Sequence, residues 1–288
     1  MSEANHPIIQ AWDTILFERF CRFRHLLVEG LAQHSDAAFD RVSYPQNARV
    51  LDVGCGFGDS TLHIARSVGP GGEAVGVDCS ANFIRSAEEL ARREGVNNAR
   101  FLIADAQGDD LGAGYDHAFA RFGTMFFSMP AAAMRNLRAA LKPNGSLTQV
   151  VWRKREENPW LHAAELRVKE IVPIVPREES GQLTCGPGPF SMADADVVSA
   201  MLRTAGFERI AFERHDCDIC IGRDIEDAVE FAMALGPAGE IMRLAGEEGV
   251  RRRPQVIAAL RQAFAQFERP DGIWAPSSTW LVTANNPR

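Results

Sequence analysis

The chain has 288 residues, 46% of them hydrophobic, and a formal net charge of −7. That is enough to bury a full core as one large domain, while the acidic balance argues against nucleic acid or an anionic membrane as a partner, since both are held by excess Lys and Arg. The polar start, broken by Pro7, has no apolar core of signal-peptide type and no run approaches the ~20 apolar residues of a membrane span, so a cytoplasmic protein is expected. Six cysteines at irregular spacing fit a reducing compartment. The close pair Cys217 and Cys220 lies in an alternating stretch that reads as a strand, and no metal site is expected.

Residues 1–48 read as a helical preface. Trp12, Ile15, Leu16, Phe20, Phe23, Leu26 and Leu27 recur at helical intervals, and the segment is expected to serve as a lid. Arg49 to Val53 then forms an apolar strand carrying Asp52. It stops at a loop with Gly54, Gly56 and Gly58, after which Asp59-Ser60-Thr61 starts a helix. Glycines let the backbone turn with positive φ and approach a ligand closely. A dinucleotide loop keeps small neutral residues where pyrophosphate meets the helix dipole. Here the third glycine comes one place early and Asp59 follows, a charge that repels phosphate but tolerates an ammonium and a sulfonium.

Glu73 to Asp78 is a second buried strand. Its terminal acid falls about 20 residues past the loop, where nucleotide-binding α/β folds place the carboxylate that takes both ribose hydroxyls. Capping of the next helix is the competing role for Asp78. An amphipathic helix from Ala81 to Glu94 leads to a third strand, Ala99 to Ala106, with another acid at Asp105. A fourth strand, Tyr115 to Phe122, a helix begun by Pro130, the turn Lys142 to Gly145 and a fifth strand, Ser146 to Trp152, complete the alternation expected of a parallel α/β sheet.

The pattern D-x-G-x-G-x-G from Asp52 to Gly58 resembles motif I of the class I S-adenosylmethionine (SAM) methyltransferases. The run R-F-G-T-M-F-F from Arg121 to Phe127, L-K-P-N-G from Leu141 to Gly145 and W-R…E-N-P-W from Trp152 to Trp160 resemble the bacterial small-molecule branch of the ubiquinone/menaquinone-type enzymes. The resemblance implies a doubly wound, Rossmann-like sheet of seven strands with an antiparallel strand near its edge, a helical N-terminal lid and helical insertions. It implies SAM as cofactor, S-adenosylhomocysteine as product, and contacts from Asp52, Gly54, Cys55, Gly56, Asp78, Cys79, Asp105, Ala106, Arg121 and Phe122. In that reading Asp105 accepts from the adenine amino group, the Ala106 amide donates to the ring, and the Arg121 carbonyl faces the methionine amino group while its side chain is paired elsewhere.

The chain is accordingly divided into a lid (1–48), a SAM-binding core (49–157), a substrate-side insertion (158–192) and the rest of the core with a helical insertion (193–288), all in one structural domain. Asp194 to Ala205, Asp224 to Leu235 and Pro254 to Glu268 are expected helices; a sixth strand begins at Ile210, and a final one covers Thr279 to Val282. The expected reaction is methylation of a small apolar or aromatic metabolite by in-line displacement. Met125, Trp152 and Trp160 are candidates for the acceptor pocket, Phe126 and Phe127 are read as core, and His25 and His162 are the candidate bases. A homodimer is left open. The competing functions are a SAM- or S-adenosylhomocysteine-binding protein without turnover, and an NAD(P)-dependent oxidoreductase, which leaves Asp105 unexplained.

Overall fold

The computed structural model describes residues 5–172 and 186–287. The preface holds α1 (His6–Ala11), α2 (Phe17–Arg22) and α3 (Ala32–Arg41), joined through wider helical turns at Trp12–Leu16 and Leu26–Gly30. Its apolar face is buried through Ala11, Phe23, Leu26, Leu31 and Ala38. At Gly30 the preface touches the sheet so closely that a Cβ would lie 2.6 Å from the Cys220 carbonyl oxygen.

The core alternates as its hydrophobic pattern requires. It comprises β1 (Arg49–Val53), α4 (Asp59–Val68), β2 (Glu73–Asp78), α5 (Ala81–Arg93), β3 (Ala99–Ile103), β4 (Tyr115–Arg121), α6 (Pro130–Ala140) and β5 (Leu141–Trp152). Helix α4 carries Asp59 in its first turn, where a carboxylate meets the positive end of the helix dipole. Helix α5 is capped by Ser80, whose Oγ accepts from the Phe83 N–H at 3.2 Å. Proline opens α6, a position where its missing N–H costs nothing.

Beyond β5 come α7 (Pro159–Ile171), α8 (Ala195–Thr204), β6 (Glu208–Gly222), α9 (Ile225–Ala234), α10 (Gly236–Leu244), α11 (Glu247–Phe264), β7 (Glu268–Arg269) and β8 (Gly272–Asn285). The sheet runs β3-β2-β1-β4-β5-β8-β6, with β7 pairing on β8. Strands β1 to β5 pair in parallel, and β8 is antiparallel to both β5 and β6. This is the doubly wound sheet with one antiparallel strand next to its edge; the two-residue β7 is an eighth strand that the sequence pattern does not announce.

Four expectations change: the turn expected at Lys142 to Gly145 lies inside β5, which starts at Leu141. The sixth and last strands are far longer than expected, 15 and 14 residues, because their continuous pairing carries them through polar stretches. The helix expected to start at Pro254 starts at Glu247 and runs through that proline. Pro254 is exposed and Val250, four residues earlier, is 74% exposed, so water can reach the carbonyl that loses its partner. The break expected after Leu235 is a new helix, α10, with Pro237 in its first turn.

Candidate functional site

The C-terminal tips of β1, β2, β3 and β4 form one rim. The Gly54 and Cys55 amides donate to the Val77 carbonyl at 2.8 and 3.0 Å, which fixes the first loop against β2. Gly54 and Gly56 have φ of 69° and 54°, the left-handed region, and Gly54 lies so near Gly123 that a Cβ would come within 3.1 Å of the Gly123 Cα. Phe122 at the β4 tip is a non-glycine with φ of 57°, a costly conformation concentrated at functional sites.

Asp78 ties two loops together. Its Oδ2 accepts from the Gly56 amide at 3.1 Å and its Oδ1 from the Ser80 amide at 3.0 Å. Burial raises its pKa to about 6 against the lowering effect of those amides. It is therefore a half-buried carboxylate at neutral pH that can accept from further hydroxyl donors. Asp105 is 4% exposed; its Oδ1 accepts from the amide and side chain of Gln107 at 3.0 and 3.1 Å, and its Oδ2 from Asn5 Nδ2 at 2.7 Å.

These tips open into a cavity of about 490 Å³, within the ~300–1,000 Å³ typical of small-molecule sites. Gly54, Cys55, Gly56, Asp78, Cys79, Asp105, Ala106, Arg121, Phe122, Met125, Trp152 and Trp160 all line it. Burial pushes the thiols of Cys55 and Cys79 up, so both stay protonated. Met125 is held by its sulfur, 3.4 Å from the Trp152 amide, and by its carbonyl, which accepts from Ser191 Oγ at 2.5 Å. Trp152 stacks on Phe122 (centroids 4.3 Å apart) and Trp160 on Phe231 (5.7 Å).

Other expected residues stand elsewhere. Asp52 does not line the cavity: its Oδ2 accepts from Ser60 and Thr61 hydroxyls at 2.7 and 2.6 Å, so it braces the start of α4 from beneath. His25 Nε2 lies 3.0 Å from Asp227 and His162 Nδ1 is buried without a partner; neither ring lines the cavity, because each sits on a helix face turned from it. Phe126 and Phe127, read as core, both line the cavity while packing against that core. The Arg121 side chain, expected to be paired, makes no ion pair among the described residues.

The preface supplies residues that the sequence did not single out. Asp13 Oδ1 accepts from Ser80 Oγ at 2.7 Å and the Asn82 amide at 2.9 Å, and its carbonyl from Asn82 Nδ2 at 2.6 Å, clamping the preface to the start of α5. Arg24 pairs with Asp59 at 3.2 Å, and Trp12 meets Phe126 edge to face at 4.9 Å. No local pattern distinguishes Asn5 or Asp13 from an ordinary polar helix face; their partners are remote in the chain.

A second polar cluster joins α3 to the sheet. His34, His215 and Cys217 bring donor atoms within 4.8 Å of one another. Ser277 Oγ donates to the Cys217 carbonyl at 2.8 Å, so it accepts from His34 Nε2 at 2.7 Å; Thr279 Oγ1 lies 3.0 Å from Nδ1 and 3.3 Å from the His215 carbonyl, with one proton to share between them. Both ring nitrogens of His34 are thereby engaged. Burial and the neighbouring His215 and Arg121 hold its pKa down at about 3, so it is neutral.

Residues 45–172 match the family described as a methyltransferase domain. The chain is 25% identical over 171 residues to a demethylmenaquinone methyltransferase of Lactococcus lactis, covering 58% of this chain and 68% of that protein. It is 26% identical over 170 residues to the ubiquinone/menaquinone biosynthesis C-methyltransferase UbiE of Stutzerimonas stutzeri, covering 57% and 66%. Its fold is shared with YcgJ of Bacillus subtilis (TM-score 0.55, 18% identity, 89% and 99% of the two chains). It is shared also with phosphoethanolamine N-methyltransferase 2 of Haemonchus contortus in complex with S-adenosyl-L-methionine (TM-score 0.51, 17% identity, 89% and 53%). The domain match and the quinone-type relatives agree with the resemblance carried by the run from Arg121 to Gly145, and together they identify the chain as a SAM-dependent methyltransferase.

Proposed function

We propose that the protein methylates a small aromatic acceptor, a quinol-type ring carbon above all, in the aromatic half of the cavity. The observation that carries this is the continuity of one cavity from Gly56, Asp78 and Asp105 to Trp12, Phe126, Trp152, Trp160 and Phe231. The relatives named for demethylmenaquinone and for ubiquinone/menaquinone C-methylation support the acceptor class.

The polar rim fits SAM on the chemistry of its donors and acceptors. Asp78 is a half-buried carboxylate able to accept from paired ribose hydroxyls, a Cβ added at Gly56 would meet nothing within 4 Å, and Asp105 already accepts from an amide NH2 of the kind an adenine amino group presents. When bound, SAM supplies a methyl carbon on a cationic sulfur, open to in-line attack. The chain's part is alignment and exclusion of water. Phe122, Trp152 and Trp160 form flat apolar walls that orient a ring, and the preface, clamped through Asp13 and Arg24, closes the cavity above them. With the preface as lid, substrate selection falls to the insertions after β5: Gly186 to Pro189 and α9–α10 line the aromatic half, while 173–185 of the expected 158–192 insertion lie outside the described residues.

The test is turnover of methyl-labelled SAM with short-chain naphthohydroquinones beside phenol, amine and thiol acceptors. A product methylated at ring carbon supports the proposal. Labelled transfer only to nitrogen or sulfur refutes the acceptor class, and SAM binding with no transfer to any acceptor favours a binding protein without turnover.

A further inference from the structure

We propose that the Arg121 guanidinium is the clamp for the methionine carboxylate of SAM, an inference that rests on the proposed placement of the adenosyl group. Arg121 ends β4 and lines the cavity beside Gly54 and Asp59. It is half-buried, and its partial removal from water pulls its pKa down. Among the described residues it donates one hydrogen bond, from Nη1 to the Leu27 carbonyl at 3.2 Å. The acids that influence it from a distance are Asp59, Asp52 and Asp36. Asp59 is paired with Arg24; Asp52 accepts from Ser60 and Thr61 at Oδ2, and its Oδ1, buried without a partner, makes no hydrogen bond to Arg121. A guanidinium keeps its charge in a protein, offers five donors and is expensive to bury without an anion.

Topology says which anion. The sheet order places β3, β2, β1 and β4 side by side. With adenine at Asp105 on the β3 side and ribose at Asp78 on β2, the amino-acid end of SAM extends past β1 toward β4, where Arg121 stands. The carboxylate is the sole anionic group on that ligand, and carboxylate with guanidinium forms the strongest class of paired hydrogen bonds. The Leu27 carbonyl fixes one edge of the guanidinium and leaves the rest for the ligand. Arg121 thus belongs to the binding machinery through its side chain as well as its main chain.

The experiment compares S-adenosylhomocysteine with its decarboxylated analogue by titration calorimetry on the full chain, wild type, Arg121→Gln and Arg121→Lys. The wild type is expected to prefer the carboxylated ligand by about 10- to 100-fold, the range of a charge-assisted pair. In Arg121→Gln that preference falls to near unity while affinity for the decarboxylated analogue stays within about twofold, and Arg121→Lys restores part of it. A wild type that does not discriminate, or a glutamine variant that weakens both ligands alike, overturns the clamp, as does an unchanged ratio with a raised KM for anionic acceptors only. The wild-type comparison decides the matter even should a variant fail to fold. Failure of the wild type to bind either adenosyl ligand refutes the adenosyl placement itself, a different outcome from loss of discrimination.

Discussion

Acidification should weaken cofactor binding through Asp78 before it touches the fold. Its pKa of about 6 reflects burial. Ribose hydroxyls donating to the carboxylate favour the charged form, so the pKa in the complex lies well below that value. Binding below pH 6 must therefore release a proton. The apparent Kd rises as one plus the ratio of protonated to charged Asp78, a factor of roughly 1.1 at pH 7 and roughly 11 at pH 5. The effect on stability has the opposite sign. A carboxylate whose folded pKa is raised holds more protons folded than unfolded between pH ~4 and ~6, so its contribution to stability improves as pH falls through that window. Affinity loss at pH 5 is thus separable from acid unfolding. Titration of S-adenosylhomocysteine from pH 8 to 5, in buffers of different ionisation enthalpy, reads both the Kd and the proton released. Asp78→Asn should lose on the order of 100-fold at pH 8 but only on the order of 10-fold at pH 5, where the wild type has itself weakened, since two hydrogen bonds to a charge contribute ~3 kcal/mol together and an amide nitrogen would face the Gly56 or Ser80 N–H. A Kd that stays flat to pH 5, or one that improves, refutes the assignment of Asp78 to the ribose.

Asn5→Ala removes the amide that sits on Asp105 Oδ2, and calorimetry should show adenosyl ligands binding up to about tenfold tighter, the equivalent of ~1.4 kcal/mol. Trp160→Phe keeps the stack on Phe231 and should raise the acceptor KM several-fold with the cofactor Kd unchanged, as steady-state kinetics at saturating SAM will show. His25→Ala and His162→Ala should leave kcat within about twofold in the same assay, because neither ring lines the cavity; the lost His25–Asp227 contact costs at most ~1 kcal/mol in a denaturation curve. Asp13→Ala should lower stability by about 1 kcal/mol, the cost of a lost helix cap, and increase protease cleavage within the preface.

The part of the site that was legible in the sequence is the part written in short range. The glycine loop, Asp78 and Asp105 are separated by regular βα units, so strand alternation alone puts them on one sheet edge, and the cavity gathers all three there. Asp52 shows the limit of that reading. It sits in the same motif, yet alternation along β1 turns its side chain beneath the loop toward Ser60 and Thr61. His25 and His162 do not line the cavity for a related reason: residue type suggests chemistry, but which residues of a helix meet the cavity is set by packing across hundreds of residues, such as the contact of His25 with Asp227. The reading of Pro254 as a helix start failed because exposure lets a helix carry a proline that burial would forbid.

The preface joins the two halves of the site in a way that neither half shows alone. Toward the glycine loop it holds Asp105 through Asn5, the start of α5 through Asp13 and Asp59 through Arg24. Toward the aromatic half it holds the Ala234 carbonyl through Arg19 at 2.9 Å, Glu230 through Arg22 and Asp227 through His25, all on or beside α9. A ligand that takes Asp105 from Asn5 loosens one end of a helical strap whose other contacts reach the α9 wall beside Phe231. The exposed pairs contribute ~1 kcal/mol or less each, so they can be exchanged without unfolding the sheet, while the apolar face of the preface stays buried through Phe23, Leu26 and Leu31. Bound adenosyl ligand should therefore change amide exchange in α9 as well as in the preface. Exchange protection confined to the loops after β1, β2 and β3 would mean that the two halves of the cavity act independently.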